Sequence, residues 1–378
     1  MNFTKYSKYF VLSLITALVS VSFWIAFYTN LPGKLGFPNT TLETIFANYD
    51  GPNYMVIAKC GYVKNCISTQ FSLPQPLEYY PAHFPGFPLL IKLFSFATST
   101  PKAMLIVSLL GSILLTLTSY HIYKKYLKPE LAFYLSLFLI FFPGRLLVLR
   151  IVGAPETLFI GFSLLSIIFF QNKKYYFSAF SAAAAMFLKS PGVLLFAAYF
   201  CMAIFDYLKN KNFKELFNKY FIYLIGPLTV LVTFYYYFLE TGDFFAYFHS
   251  GDNFHLSILP FTVFISNHTW INTIWLEDII YIFLLTFFGL KHLFKKFKFN
   301  IIFVYPFIYT LASIFVAHRD ISRYIAPVYP FLILAFAKVL SRKFNQKLFL
   351  ILLPAIILYC INFIIGNVAP ISDWTPYL

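Results

Sequence analysis

The chain alternates long apolar runs with short polar breaks. Apolar runs of spanning or near-spanning length lie near 9–29, 102–123, 130–149, 154–171, 175–189, 191–208, 220–239, 272–290, 301–317, 324–340 and 348–366. They predict an all-α polytopic membrane protein of about eleven spans, with residues 1–378 forming a single integral unit. Two stretches interrupt the rhythm, 30–101 and 240–271, and both read as large loops. Within the first, Tyr49–Lys92 gathers a carboxylate, two cysteines, one histidine and a proline-rich aromatic run. A structureless loop of that length is usually functional or disordered, and its aromatic content argues against disorder. Thr41–Ala58 reads as a helix along the membrane surface, and Pro85–Ala97 as a second juxtamembrane helix too short to span.

Composition agrees with a membrane solvent. Of the 378 residues 60% are apolar and only 11% charged, against about 25% charged in soluble domains. A net charge of +15 would suggest nucleic acid in a soluble protein. Here the basic residues cluster between apolar runs, which is the positive-inside pattern and excludes a nucleic-acid partner. With the N-terminus in the cytoplasm, Lys124, Lys125 and Lys128 fall inside, as do Lys209, Lys211, Lys214 and Lys219. The cluster Lys291, Lys295, Lys296 and Lys298 does the same. Lys5 and Lys8 precede the run Phe10–Tyr28, which has no small-residue cleavage site and reads as a retained helix. Most carboxylates fall on the outer side, a skew for which a polar chamber on that face would be one cause; Glu130, Asp206 and Glu215 alone fall inside. High Lys, Phe, Tyr and Ile with few Arg point to an AT-rich bacterial genome, hence a bacterial cytoplasmic membrane rather than the endoplasmic reticulum. The sequons Asn39-Thr40-Thr41 and Asn267-His268-Thr269 are triplets common by chance.

Candidate chemistry collects on the outer side. Arg145, Arg150, Glu156, Lys189, Arg319, Asp320 and Arg323 stand at helix ends, where ionisable groups mark either a functional site or simple snorkelling. Four of the five arginines lie there, against the positive-inside trend. A planar guanidinium suits phosphate oxygens, so a lipid phosphate at the outer interface fits this set. Asp50, followed by Gly51-Pro52, is read two ways: as a catalytic carboxylate or, the stronger reading on local chemistry alone, as a helix N-cap. His83, between aromatic residues, reads as structural or substrate-positioning rather than as a base. Cys60 and Cys66 flank GYVKN and suit a disulfide if the loop faces an oxidising compartment. A zinc site is the weaker reading, since His83 is the one further ligand nearby. The second loop carries Asp243, His249, Asp252, His255 and His268.

The first loop also resembles a known family. Y-D-G-x-x-Y-x-x-I-A-x-x-G-Y, followed by H-F-P-G-F-P-L-L-I-K-L, is similar to the first luminal loop of the GPI mannosyltransferase 2 (PIG-V type) family. Asp50, Tyr54, Ile57, Ala58, Gly61 and Tyr62 match its first block, and Phe84 to Leu89 its second. Tyr49 stands where that family has tryptophan, and His83 where it has phenylalanine. Weaker likenesses follow at Phe142-Pro143 through Ala154–Phe159, at Ala184–Gly192 with Lys189 in the basic position, and at Arg323-Tyr324 with Pro327 and Pro330. The resemblance implies a GT-C membrane glycosyltransferase, a prokaryotic relative of that family, with a sugar donor carried on a polyprenyl phosphate. It implies inverting transfer, of mannose by family default, at the outer or luminal face, and a glycolipid, glycan or protein acceptor. Asp50 would be the base, or would orient the acceptor hydroxyl. Arg145, Arg150, Lys189, Arg319 and Arg323 would bind the donor phosphate, with Tyr54, His83 and Glu156 positioning substrate. No cofactor is required on this reading, and a divalent metal is left open.

Two other classes compete. A transporter or flippase of lipid-linked saccharides also needs many helices and outer cations, but predicts internal repeats and paired broken helices, which are not visible. A non-catalytic scaffold in a cell-envelope complex predicts that nothing is lost with Asp50.

Overall fold

The computed structural model describes residues 3–251, 255–265 and 276–378. Each apolar run contains helix, and the described residues carry no named strand, only two isolated bridges. The protein is an all-α, multi-pass membrane bundle. Among the described residues, five helices are long and apolar enough to cross alone: Ser7–Tyr28, Thr100–Tyr126, Ser190–Asn210, Phe213–Thr241 and Lys343–Ile365. Shorter apolar helices, Glu156–Gln171, Tyr175–Leu188, Ile301–Ser313 and Ala326–Ala335, pack among them. At 1.5 Å per residue, helices this short reach only part of the way through a core about 30 Å thick. The expected eleven full spans therefore resolve into long crossings and partial ones.

The run at 130–149 is a bent pair, Pro129–Phe141 and Gly144–Ile151, turning by 73°. Pro143 explains the break: it has no N–H for the helical ladder, and it forces Phe142 into an extended conformation. The bend carries the second helix inward, so that every residue from Leu146 to Ile151 is buried. At the centre, α1 (Thr100–Tyr126) packs on α2 (Glu156–Gln171). Gly111 makes the approach possible, because a side chain there would stand 2.7 Å from the Leu158 nitrogen. Small residues at helix contacts serve this purpose in membranes, where no hydrophobic force drives helices together.

The first loop departs from its expected single surface helix. Two helices form instead, Leu42–Phe46 and α3 (Gly51–Cys60), separated by a turn at Ala47–Asp50. The chain's own C-terminal segment pins that turn. Asn48 donates through Nδ2 to the Ile364 carbonyl at 2.6 Å and bridges to Val368, while the Ala369 N–H donates to the Ala47 carbonyl at 2.8 Å. Pro52 then starts α3 in the first turn, where its missing N–H costs no hydrogen bond. The helix ends at Gly61, whose φ of 60° favours glycine and where a Cβ would meet the Glu240 carboxylate. A disulfide joins Cys60 to Cys66, with 5.6 Å between the Cα atoms. Pro85–Ala97 becomes α4 (Gly86–Phe94), starting against the Phe187 carbonyl.

Part of the second loop lies against the bundle. Leu256 bridges to Val316, and Ala317 donates to the His255 carbonyl at 2.7 Å. Asp252, His268 and the triplet at 267–269 lie outside the described residues.

Candidate active site

The turn before α3 puts Asp50 at the N-cap position, yet its side chain makes no capping bond. The carboxylate turns away from its own helix. Its Oδ2 accepts from Arg323 Nη2 at 2.8 Å, and its Oδ1 lies 3.7 Å from His83 Nε2. Arg323 comes from α5 (Ile321–Tyr324), a single turn. Its Nε donates to Glu156 Oε1 at 2.7 Å, and the same oxygen accepts from Lys189 Nζ at 2.5 Å. Glu156 opens α2, and Lys189 lies in an extended residue between Tyr175–Leu188 and the turn Ser190–Gly192. Two carboxylates and two cations thus form one chain from four distant sequence positions.

Each member is costly alone. A buried charge without a partner loses several kcal/mol of hydration, so the chain persists only because its members compensate one another. Burial by itself raises the Asp50 carboxyl. The Arg323 guanidinium beside it, and then His83, pull it down further, so that it sits well below the usual carboxylate range. His83 is 6% exposed, with its ring edge-on to Tyr54 and Tyr79 at centroid distances of 5.0 and 5.2 Å. Tyr62 secures the segment by donating to the His83 carbonyl at 2.6 Å.

These groups line a cavity of about 240 Å³. Tyr247, His255, Tyr309, His318 and Tyr324 complete its wall. His318 stacks on His255 with 4.7 Å between centroids. Burial, followed by His255 and the nearby arginines, pushes His318 down to about 4. An aromatic wall around a few charges suits a sugar, whose C–H faces pack on rings while its hydroxyls find carboxylates and imidazoles. Among the described residues no group of three or more His, Cys, Asp or Glu is placed to hold a metal ion.

A second cavity, a cleft of about 850 Å³, opens beside the first and is lined mainly by apolar side chains. Phe138, Ile282, Leu285, Leu348, Leu352 and Ile356 line its length, and Arg145, Arg319 and Asp320 stand among the lining residues. Arg145 Nε pairs with Asp320 Oδ1 at 3.0 Å, and its guanidinium carbon lies 3.6 Å from the Phe363 ring centre. Asp320 Oδ2 accepts from the Tyr49 hydroxyl at 3.3 Å, and the Tyr49 ring faces Arg323 at 4.3 Å. The segment 319–324 is therefore the partition: Arg319, Asp320 and Ser322 face the cleft, and Arg323 and Tyr324 the cavity.

The expected site residues divide accordingly. Asp50, Tyr54, His83, Glu156, Lys189 and Arg323 line the cavity, and Arg145 and Arg319 the cleft. Arg150 joins neither, which corrects its expected place on the outer face. It is 1% exposed, donating to the Ser112 carbonyl at 2.9 Å and the Thr116 hydroxyl at 3.1 Å in the middle of α1. The bend at Pro143 is the cause, since it turns the helix of Arg150 into the bundle. Tyr79, Tyr309 and Tyr324 line the cavity and Tyr49 lies against Arg323, although sequence reasoning alone does not assign these four to the site. Among 29 tyrosines and 50 phenylalanines, Tyr49, Tyr79 and Tyr324 carry a local signal in their nearness to Asp50, His83 or Arg323, and Tyr309 carries none.

No protein-family model matches the sequence, and no curated protein matches it. Solved structures do match. ArnT from Cupriavidus metallidurans, crystallised with undecaprenyl phosphate, superposes with a TM-score of 0.59 over 93% of this chain at 12% identity. The match covers 63% of ArnT, so the chain spans under two thirds of that protein's length. The likeness is one of fold: the chain shares the helical arrangement of ArnT over most of its length.

Proposed function

We propose that the chain is an inverting glycosyltransferase that moves a sugar from a polyprenyl phosphate to an acceptor hydroxyl at the outer membrane face. The observation that carries this reading is the uncapped Asp50 carboxylate in a sugar-sized polar cavity, separated by Arg323 from an apolar cleft wide enough for a lipid chain. The fold shared with ArnT, a protein crystallised with undecaprenyl phosphate, supports a lipid-linked donor.

The chemistry follows from those positions. The donor's chain lies in the cleft with its phosphate toward Arg145 and Arg319, and its sugar enters the cavity past Arg323. The acceptor oxygen attacks the anomeric carbon from the side opposite the phosphate, while Asp50 takes the hydroxyl proton. The bond from anomeric carbon to phosphate oxygen breaks, and its electrons leave with the polyprenyl monophosphate. Arginine and lysine stabilise the charge that develops on that oxygen. One displacement inverts the anomeric configuration, and no enzyme nucleophile is needed. His83 and Glu156 hold Asp50 and Arg323 in place, and Tyr54 braces His83. The loop likeness to the PIG-V type family favours mannose as the sugar and a bacterial glycolipid, glycan or protein as acceptor.

The test is transfer of labelled sugar by the purified protein in proteoliposomes. Polyprenyl-phosphate sugars should serve as donors and nucleotide sugars should not. Activity from a nucleotide sugar contradicts the reading, as does movement of a lipid-linked saccharide across the bilayer without transfer.

A further inference from the structure

Arg323 serves two carboxylates with one guanidinium. Its Nε bond to Glu156 is the fixed end, because that carboxylate is 2% exposed and is also held by Lys189. Its Nη2 bond to Asp50 is the open end, on a carboxylate 27% exposed toward the cavity. On the other side of the guanidinium lies the Tyr49 ring, whose hydroxyl reaches Asp320 in the cleft wall. Arg323 thus stands at the boundary, with the base on one side and the path of a lipid phosphate on the other.

We propose that Arg323 is shared between base and donor: without donor it pins Asp50, and an arriving polyprenyl phosphate draws it off and frees Asp50 to accept the proton. The inference rests on the donor reading above. A phosphate presents more charge and more acceptor oxygens than one carboxylate, so it competes well for an N–H that Asp50 holds at a single point. An Asp50 engaged by a guanidinium is a weak base, and one of its oxygens is withheld from the acceptor. Release needs only rotation about the bond that Glu156 keeps. The exchange is non-covalent and makes binding ordered, donor before acceptor. It also keeps the base from activating water in an empty site.

A binding measurement tests this without catalysis. Polyprenyl monophosphate, the expected leaving product, is titrated against the full-length protein in nanodiscs: wild type, Asp50→Asn, Arg323→Gln and the double variant. Asp50→Asn should bind roughly tenfold or more tighter than wild type, since an amide competes poorly for the guanidinium. That gain should vanish when Arg323→Gln is also present. Equal affinity for wild type and Asp50→Asn overturns the sharing but leaves the donor reading standing, and so does a gain that survives Arg323→Gln. No binding by any of the four overturns both. Thermal melts of each protein guard against misfolding, and Asp50→Ala provides a second variant that also removes the competitor.

Discussion

Arg150 and Arg323 are both largely buried and both close to helix ends, yet their surroundings give them different work. Arg150 spends its donors on main-chain and hydroxyl oxygens of α1, so its loss is structural. Arg150→Gln should cost about 1–3 kcal/mol of stability, read as a lower melting temperature, and leave the donor KM unchanged. Arg323→Gln should leave Asp50 without its guanidinium and Glu156 with Lys189 as its remaining cation, and raise the donor KM at least tenfold. Asp50 gives the pH dependence. Its carboxyl lies well below its ordinary value because Arg323 and His83 outweigh burial. A depressed carboxyl contributes stability that is present above its unfolded value, near pH 4, and that is lost as the pH falls toward the folded value. Melting curves of wild type should therefore steepen their decline below about pH 4, and Asp50→Asn should lack that part of the slope. Sequence alone left Asp50 between cap and catalyst, because Asp-Gly-Pro ahead of a helix serves both. Only the position of Arg323, 273 residues away, decides where the carboxylate points.

At the scale of elements, the pattern of apolar runs located the helices but not the breaks that shape the site. The turn at Ala47–Asp50 divides the expected helix just before Gly51-Pro52, and the pairing of Asn48 and Ala47 with the C-terminal segment holds it. The helix start is marked locally by Asp50-Gly51-Pro52, but the pairing that holds the turn is non-local and leaves no trace in the local pattern. Pro143 was visible, but the inward turn of the next helix depends on what α1 offers Arg150. The cleft was not legible at all, since its walls come from apolar helices that read as ordinary spans. It makes a specific prediction: Leu285→Trp or Leu352→Trp should narrow it and raise KM for a long-chain donor several-fold. A short-chain donor should be affected little. The disulfide secures the far end of α3. Closing so short a loop stabilises by about 2 kcal/mol in the chain-entropy account, so Cys60→Ser with Cys66→Ser should lower the melting temperature while leaving the cavity's charges in place.

For the whole molecule, the bundle arranges two solvents side by side. The cavity offers charge and hydrogen bonds, the cleft offers hydrocarbon, and a single helical turn divides them. On the proposed reading a polar sugar on a lipid-borne donor needs that juxtaposition, whereas a transporter would need the two regions joined by a moving path. Three of the carboxylates belong to these two regions, Asp50 and Glu156 in the cavity and Asp320 in the partition. The most direct measurement is sugar transfer from a labelled polyprenyl phosphate by wild type and Asp50→Asn in matched proteoliposomes. Loss of a general base predicts a rate lower by roughly 10²–10⁴-fold in protein that is still folded at the assay temperature, and product of inverted configuration from wild type. Undiminished transfer by Asp50→Asn, or a product that retains the donor's configuration, would contradict the account.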